Sequence, residues 1–396
     1  MKMETKAVHA GDRKRNPDAP GAFVPSSTPI YTATTYLYEE TAKLDRVLGR
    51  EEEGFSYGRY DNPTRAGLEE LLRELESGAN AQVCSSGMAA IHLALLAALT
   101  DRRKSILVAS ALYGSTVTLL QQVFEPMGVE VNFVDFCDLA AVEKKIAESK
   151  PGCLVMETIS NPLLRVADLD RIAELARAAG AALLVDNTFA SPLLVRPIEH
   201  GAHLVVESLT KFLAGHGDVL GGVVVTDEAH ADVVRTLSRT LGPVLGPFES
   251  FLTMRGIKTF VLRVERQCAN ACRIASWLQS HPRVARVHYL ADPNHPDAAV
   301  IHRLLPEGLY GALVPFEIKD AKKEDVFRFM DKLKLIVRGT SLADVHSLML
   351  YPAIASHREI APKQRQRMGI GDGLVRLCAG IEAADDIIAD LDQALA

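Results

Sequence analysis

Lys211 ends the run Val205-Val206-Glu207-Ser208-Leu209-Thr210-Lys211, behind two hydroxyls and ahead of the glycine-rich segment Gly215-His216-Gly217-Asp218-Val219-Leu220-Gly221-Gly222. A primary amine in that setting can condense with an aldehyde cofactor to form an imine. It must be neutral to do so, and for a group of reference pKa about 10.4 this requires desolvation or a neighbouring cation. Ser208 and Thr210 are spaced to hydrogen-bond a phosphate. The same string also suits an ordinary strand-end lysine flanked by capping hydroxyls, so other parts of the chain must decide.

Three further constellations bear on that decision. Ser85-Ser86-Gly87-Met88-Ala89-Ala90 follows a short apolar run and opens an apolar helix, so the amides of Gly87 and Met88 would face outward at a positive helix end. The pattern is also that of a plain helix cap. It has neither the GxGxxG spacing of a dinucleotide site nor GxxxxGK[ST], so any anion there is a single phosphate. Asp186 closes Leu183-Leu184-Val185-Asp186 at the edge of an open α/β sheet where ligands gather, as a partner for a protonated ring nitrogen or as a helix cap. Tyr113, beyond the strand expected over Ser105–Ser110, is placed to stack on a ring or simply to pack. Each feature has an ordinary structural explanation when taken singly. Their convergence at strand ends of one sheet describes a pyridoxal-phosphate pocket.

The elements that must position these groups alternate along the chain. Helices are expected over Leu68–Leu75, Met88–Leu99, Val117–Met127 and Asp168–Ala179. Strands are expected over Ala81–Ser85, Ser105–Ser110, Val129–Val134, Cys153–Glu157, Ala182–Asp186 and Ala202–Val206. This alternation argues an α/β fold with a mostly parallel sheet covered by helices on both faces. Residues 1–60, rich in proline and hydroxyls, read as an extended N-terminal arm, and 61–248 as the cofactor-binding α/β domain. Residues 249–396 read as a smaller C-terminal α+β domain, entered through one long helix, Ser250–Gln279. Its other elements are strands over Arg286–Tyr289, Gly311–Ile318, Leu335–Val337 and Leu374–Cys378 and helices over Lys323–Lys332 and Ala384–Leu395.

The chain of 396 residues has 48% hydrophobic and 24% charged residues, enough for two packed cores and without a signature of disorder. A net charge of -6 and a pI near 6.1 argue against nucleic acid as a partner. The longest cationic cluster, Arg13-Lys14-Arg15, is offset by Asp12 and Asp18. The polar first twenty residues and the lack of a long uncharged stretch lead us to expect a cytoplasmic protein with no membrane contact. Six cysteines without a CxxC pair, and scattered histidines, are expected to be reduced thiols and ordinary side chains, with no metal site.

The chain also resembles the Cys/Met-metabolism family of pyridoxal-phosphate (PLP) enzymes, which includes cystathionine γ-synthases, cystathionine and methionine γ-lyases and O-acylhomoserine sulfhydrylases. The marks, in order, begin with Tyr57-Gly58-Arg59-Tyr60-Asp61-Asn62-Pro63-Thr64-Arg65, Ser85-Ser86-Gly87-Met88, Leu112-Tyr113-Gly114 and Ser160-Asn161-Pro162. They continue with Val185-Asp186-Asn187-Thr188, Ser208-Leu209-Thr210-Lys211, Arg255-Gly256-Ile257-Lys258-Thr259 and Val375-Arg376-Leu377-Cys378-Ala379-Gly380-Ile381-Glu382. The resemblance runs nearly end to end and implies a PLP-dependent transferase-like fold of type I. It implies that Lys211 carries the cofactor and shuttles protons, that Asp186 holds the pyridine nitrogen and that Tyr113 stacks over the ring. Gly87, Met88, Ser208 and Thr210 would grip the phosphate, with Thr188 among the cofactor residues. Tyr57 and Arg59 would reach over from a neighbouring subunit, in a dimer with shared active sites that relatives commonly double to a homotetramer. Arg376, assisted by Asn161 and Ser341, would clamp the substrate α-carboxylate.

The expected substrate pocket departs from each subgroup. Relatives acting on cystathionine tend to carry acidic residues where this chain has Ser56 and Thr340, and a distal ammonium would lose about 1.5 to 3 kcal/mol per missing charge-assisted bond. Methionine γ-lyases resemble the chain but use a cysteine and a Lys-Asp pair where Ser115, Ser238 and Arg239 stand. The sulfhydrylases usually have Asn-Ile-Gly where this chain reads Thr340-Ser341-Leu342-Ala343. The result is a neutral, hydroxyl-rich pocket with Ser115 and Thr340 as substrate contacts and Arg239 and His346 as further lining. The expected reaction is γ-elimination, with β-elimination as a variant, from an amino acid substituted through sulfur or oxygen, giving a 2-oxo acid, ammonia and the leaving group. The alternative is γ-replacement on O-acyl-homoserine by a thiol. An aminotransferase and a PLP-binding protein without turnover are the other classes weighed.

Overall fold

The computed structural model describes residues 1–11, 24–358, 365–366 and 368–396, so arm residues 12–23, with Arg13-Lys14-Arg15, fall outside the described part. Short aliphatic runs form a seven-stranded sheet from β1 (Asn80–Cys84), β2 (Ser105–Ala109), β3 (Glu130–Val134), β4 (Cys153–Glu157), β5 (Ala182–Asp186), β6 (Leu204–Ser208) and β7 (Gly222–Thr226). The order is β1-β7-β6-β5-β4-β2-β3. All neighbours are parallel except β7, which runs antiparallel to both β1 and β6. Strands buried on both faces need no polar alternation, which is why β2, β4, β5, β6 and β7 read as continuous apolar runs, unlike β1 and the partly exposed edge strand β3.

Alternation along each strand sends side chains to two separate cores. Val155, Leu184 and Val206 pack with the apolar helix Gly87–Leu99, while Met156, Val185 and Val205 pack with helices Pro63–Glu76 and Leu169–Ala179. Two rows of side chains therefore emerge where β4, β5 and β6 end. Glu157, Asp186 and Ser208 continue the first face, and Thr158, Asn187 and Glu207 the second.

A second sheet combines β8 (Val284–Val287), β9 (Leu313–Ile318), β10 (Val337–Arg338), β11 (Leu348–Leu350) and β12 (Leu374–Cys378) in the order β10-β11-β12-β9-β8, antiparallel except between β10 and β11. Its core draws on helices Phe260–Ser280, Lys323–Lys332 and Ala384–Leu395. The architecture is the expected α/β one, with a mostly parallel central sheet and a smaller α+β part after it.

Some elements differ from the sequence reading. The arm carries two short helices, Met3–His9 and Thr41–Leu48. The helix expected over Ser250–Gln279 is two helices, Pro247–Ile257 and Phe260–Ser280. The break falls where the Gly256 carbonyl accepts from the Thr259 amide at 3.2 Å and from Arg263 Nη2 at 3.0 Å. Strands β7 and β11 and helices Leu139–Ser149 and Glu228–Leu241 were not anticipated.

Candidate active site

Lys211 lies three residues beyond the end of β6, and the loop that carries it is held from the other side by one buried arginine. Arg263 Nη1 donates to the Phe212 carbonyl at 3.0 Å, and Nη2 to those of Leu213 at 3.2 Å and Gly256 at 3.0 Å. Burial draws the Arg263 pKa down to about 10. The loop turns at Gly215, where φ is +72° and a Cβ would sit 1.8 Å from Arg263 Nη1, so both backbone conformation and space demand glycine. The amine itself donates to Ser341 Oγ at 2.7 Å. Burial, and then the Arg376 guanidinium, lower the Lys211 pKa. That is the direction that makes an amine nucleophilic and basic near neutrality.

Beside the lysine, Asp186 and Glu157 are register neighbours at the ends of β5 and β4. Asp186 Oδ1 accepts from the Thr188 amide at 3.0 Å, and burial raises its pKa against that bond. Glu157 was not singled out from the sequence. Its two oxygens accept from the Tyr113 amide at 2.6 Å and the Asn161 amide at 3.1 Å, so it fixes the roots of two candidate residues at once. Burial, then the Asp186 charge, push its carboxyl up to about 8. The only available signal was its position, since it closes an apolar run as Asp186 does.

The expected phosphate grip is assembled at one end of this row. Ser86 caps the helix Gly87–Leu99 by accepting from the Ala89 amide at 3.1 Å, leaving Gly87 and Met88 at the first turn. A Cβ on Gly87 would stand 3.1 Å from Ser208 Cβ, and one on Gly222 would stand 2.3 Å from the Ser86 carbonyl, so small residues let the helix start close against the ends of β6 and β7. Thr188 Oγ1 accepts from the Ser208 amide at 3.0 Å, and its hydroxyl lies within reach of Asp186. Thr210 Oγ1 accepts from the Gly221 amide at 3.1 Å and faces the Gly221 carbonyl at 3.4 Å.

The other side of the site comes from the second sheet. Arg376, in β12 and 3% exposed, donates through Nη1 to Asn161 Oδ1 at 2.9 Å and through Nη2 to the Ser341 carbonyl at 3.3 Å. Its guanidinium lies 5.6 Å from the centre of the Phe189 ring. Its Nε is buried without a partner, and burial lowers its pKa to about 10. A buried guanidinium with an orphan N–H is what an incoming carboxylate satisfies. Tyr113 is 39% exposed and opens the short helix Gly114–Leu119.

The remaining candidates are not bonded to this centre within one chain. Tyr57 is 45% exposed and meets the Tyr60 ring edge-on at 5.9 Å, and the Arg59 guanidinium stacks 4.6 Å from the Tyr60 ring and donates to the Arg239 carbonyl. Arg239 therefore lies with the arm loop. Ser115 and Thr340 are exposed, and the His346 imidazole is half exposed, 3.5 Å from Asp344 Oδ1. Among the described residues no group of three or more metal-ligating side chains forms, and no helix is long and apolar enough to cross a membrane.

These groups fit pyridoxal phosphate. The partly buried Asp186 takes hydrogen bonds from Thr188 alone among the described residues, which leaves it free to pair with a ring N–H, and a desolvated amine stands next to a helix start and hydroxyls suited to a phosphate. Comparisons with known proteins agree. A cystathionine beta-lyase of Coxiella burnetii is 36% identical over 99% of this chain and 97% of its own length. A cystathionine gamma-lyase of Bacillus subtilis is 38% identical over 100% and 99%. The crystal structure of cystathionine gamma synthase from Xanthomonas oryzae pv. oryzae in complex with cystathionine superposes with a TM-score of 0.90 at 33% identity, covering 100% of this chain and 98% of that one. With a family model matching residues 4–396, the chain belongs to the Cys/Met metabolism PLP-dependent enzymes, and its cofactor is pyridoxal phosphate.

Proposed function

We propose that this enzyme is a lyase that eliminates a sulfur- or oxygen-linked group from Cγ of an α-amino acid, taking up water and releasing the leaving group, ammonium and a 2-oxo acid. The observation that carries the reading is the hydrogen bond of Lys211 Nζ to Ser341 Oγ at 2.7 Å while the Ser341 carbonyl receives Arg376. A substrate held by its carboxylate on Arg376 thus has the proton-accepting amine beside it. When bound, the cofactor supplies an electron sink for charge developing at Cα.

The chain's own residues do the rest. Arg376 meets the α-carboxylate through its unpartnered Nε and an Nη hydrogen, with Asn161 fixing the plane of the guanidinium. Neutral Lys211 Nζ takes the proton from Cα and passes protons along the substrate, held toward it by Ser341. Asp186 would keep the ring nitrogen protonated by accepting its N–H hydrogen bond at a carboxylate oxygen, and Tyr113 would cover the ring from a backbone anchored on Glu157. Gly87, Met88, Ser208 and Thr210 would take the phosphate. The exposure of Tyr57, Arg59 and Tyr60 in one chain supports their donation to the site of a second copy in a dimer or tetramer.

The distal end favours an uncharged leaving group, because Ser56 and Thr340 offer hydroxyls and no carboxylate. That same neutrality supports γ-replacement on an O-acyl-homoserine by a thiol as the second reading. A panel of cystathionine, methionine, homocysteine, cysteine and O-acyl-homoserine, the last with and without a thiol, tests both, with Lys211→Ala as blank. Oxo acid and ammonia without added thiol support elimination; a thioether product formed only with thiol transfers the assignment to replacement. Neither product from any substrate would refute the proposal.

A further inference from the structure

Behind the cofactor-facing row lies a second one. Asn187 Nδ2 donates to Glu76 Oε1 at 2.8 Å and to the Val195 carbonyl at 2.9 Å, and Asn187 Oδ1 accepts from Thr158 Oγ1 at 2.8 Å. Glu76, the last residue of helix Pro63–Glu76, comes within hydrogen-bonding contact of Glu207 on β6. Glu76 is 0% exposed and Glu207 2%, and each has one oxygen, Glu76 Oε2 and Glu207 Oε1, buried without a donor. Carboxylate oxygens only accept hydrogen bonds. Two ionised carboxylates in contact and away from water would repel at high cost. One proton between them removes the repulsion and turns one carboxyl into a donor to the other.

We propose that Glu76 and Glu207 share a single proton and serve as positioning residues, clamping Asn187 and thereby the backbone that presents Asp186 to the cofactor ring. The groups facing the pair are Asp186 and Asn187 from β5 and its end, and Arg196 and Glu199 from the segment after it. Arg196 is engaged by Glu199 at 2.9 Å and so supplies little net positive charge. Without the proton, Asp186 and the two glutamates would put three negative charges around one strand end. With it, Glu76 presents Oε1 to Asn187 and turns its other oxygen to Glu207.

Burial raises both glutamate pKa values, and mutual repulsion raises that of Glu207 further. Acids with raised folded-state pKa values stabilise the fold below their unfolded pKa and lose that contribution as pH rises through the folded value. The test measures urea unfolding of apo and holo protein from pH 5 to 9.5, and cofactor affinity at pH 7, for wild type, Glu207→Gln, Glu207→Ala and Glu76→Gln. Glutamine replaces the shared proton with a permanent N–H donor. The pH slope of stability should become shallower by the equivalent of about one proton in each glutamine variant. Glu207→Ala should weaken cofactor binding roughly tenfold and Glu207→Gln should restore it to within about twofold. Wild-type slopes in both glutamine variants would overturn the shared proton, and equal cofactor loss in the alanine and glutamine variants would overturn the positioning role. Should Glu207→Ala not fold, the slopes of the glutamine variants still decide the first point, and the Glu207→Gln cofactor affinity decides the second, since a tenfold loss in it would contradict the role.

Discussion

Replacing Arg263 with methionine tests whether the lysine loop is held in place from outside the sheet. The change removes donors to three carbonyls, those of Phe212, Leu213 and Gly256. The buried carbonyls of Phe212 and Leu213, left unpaired, cost about 2 kcal/mol each, and Gly256, which keeps the Thr259 amide, loses one bond worth about 0.5 to 1 kcal/mol, or ~4 to 5 kcal/mol together. Against this, a guanidinium drawn down to a pKa of about 10 carries a burial penalty of roughly 3 kcal/mol that methionine does not. The net loss is then about 1 to 2 kcal/mol. Because two of the three carbonyls belong to the segment directly after Lys211, the loss falls on the loop, and cofactor affinity should drop roughly tenfold, the equivalent of ~1.4 kcal/mol. The assay is titration of pyridoxal phosphate into apo protein by absorbance, alongside urea unfolding. Arg263→Lys should recover little, since an ammonium cannot fork to three carbonyls. Unchanged affinity and an unchanged unfolding midpoint in Arg263→Met, or full recovery in Arg263→Lys, would refute the reasoning.

Other consequences are open to measurement. Arg376→Lys loses the planar fork and should lower kcat/KM by about a hundredfold in steady-state kinetics. The lowered Lys211 pKa means that the charged amine opposes folding below the folded-state value and that this penalty fades as pH rises towards the unfolded value. Apo Lys211→Met should accordingly melt above apo wild type at pH 7, with the gap closing near pH 10.5. Gly114→Ala would place a Cβ 2.6 Å from the Ser356 carbonyl, so calorimetry should show a destabilisation of about 1 to 3 kcal/mol with Tyr113 displaced.

The parallel sheet was legible because its strands are buried on both faces and carry an unbroken apolar signal, and Lys211, Asp186 and Gly87 were legible because strand ends and helix starts are local features. β7 was hidden by the glycines that precede it, although its Val223-Val224-Val225 core is as apolar as its neighbours. Glu157 and Glu207 stood in the quoted strand segments without drawing notice, since what distinguishes them is contact across strands and with helix Pro63–Glu76. The association of Arg376 with Asn161, 215 residues apart, came only through family resemblance, and the pairing of Lys211 with Ser341, 130 apart, was not anticipated; spacing along the chain carries no trace of either. The break after Ile257, where the Gly256 carbonyl is taken by the Thr259 amide and the Arg263 side chain, was missed because no proline in the helix announces it.

The proposed reaction centre straddles two sheets: the residues assigned to the cofactor stand at the ends of β4, β5 and β6, whereas those assigned to the carboxylate and the hydroxyls around Thr340 belong to the later part of the chain. Such a division of labour lets the recognition half drift while the reactive half stays put. Relatives named for lyase and synthase activities can thus share one scaffold, and exchanging the residues around Thr340 while keeping Ser341, which holds both Lys211 and Arg376, is a short route by which evolution, or an engineer, could retarget this enzyme without rebuilding its chemistry.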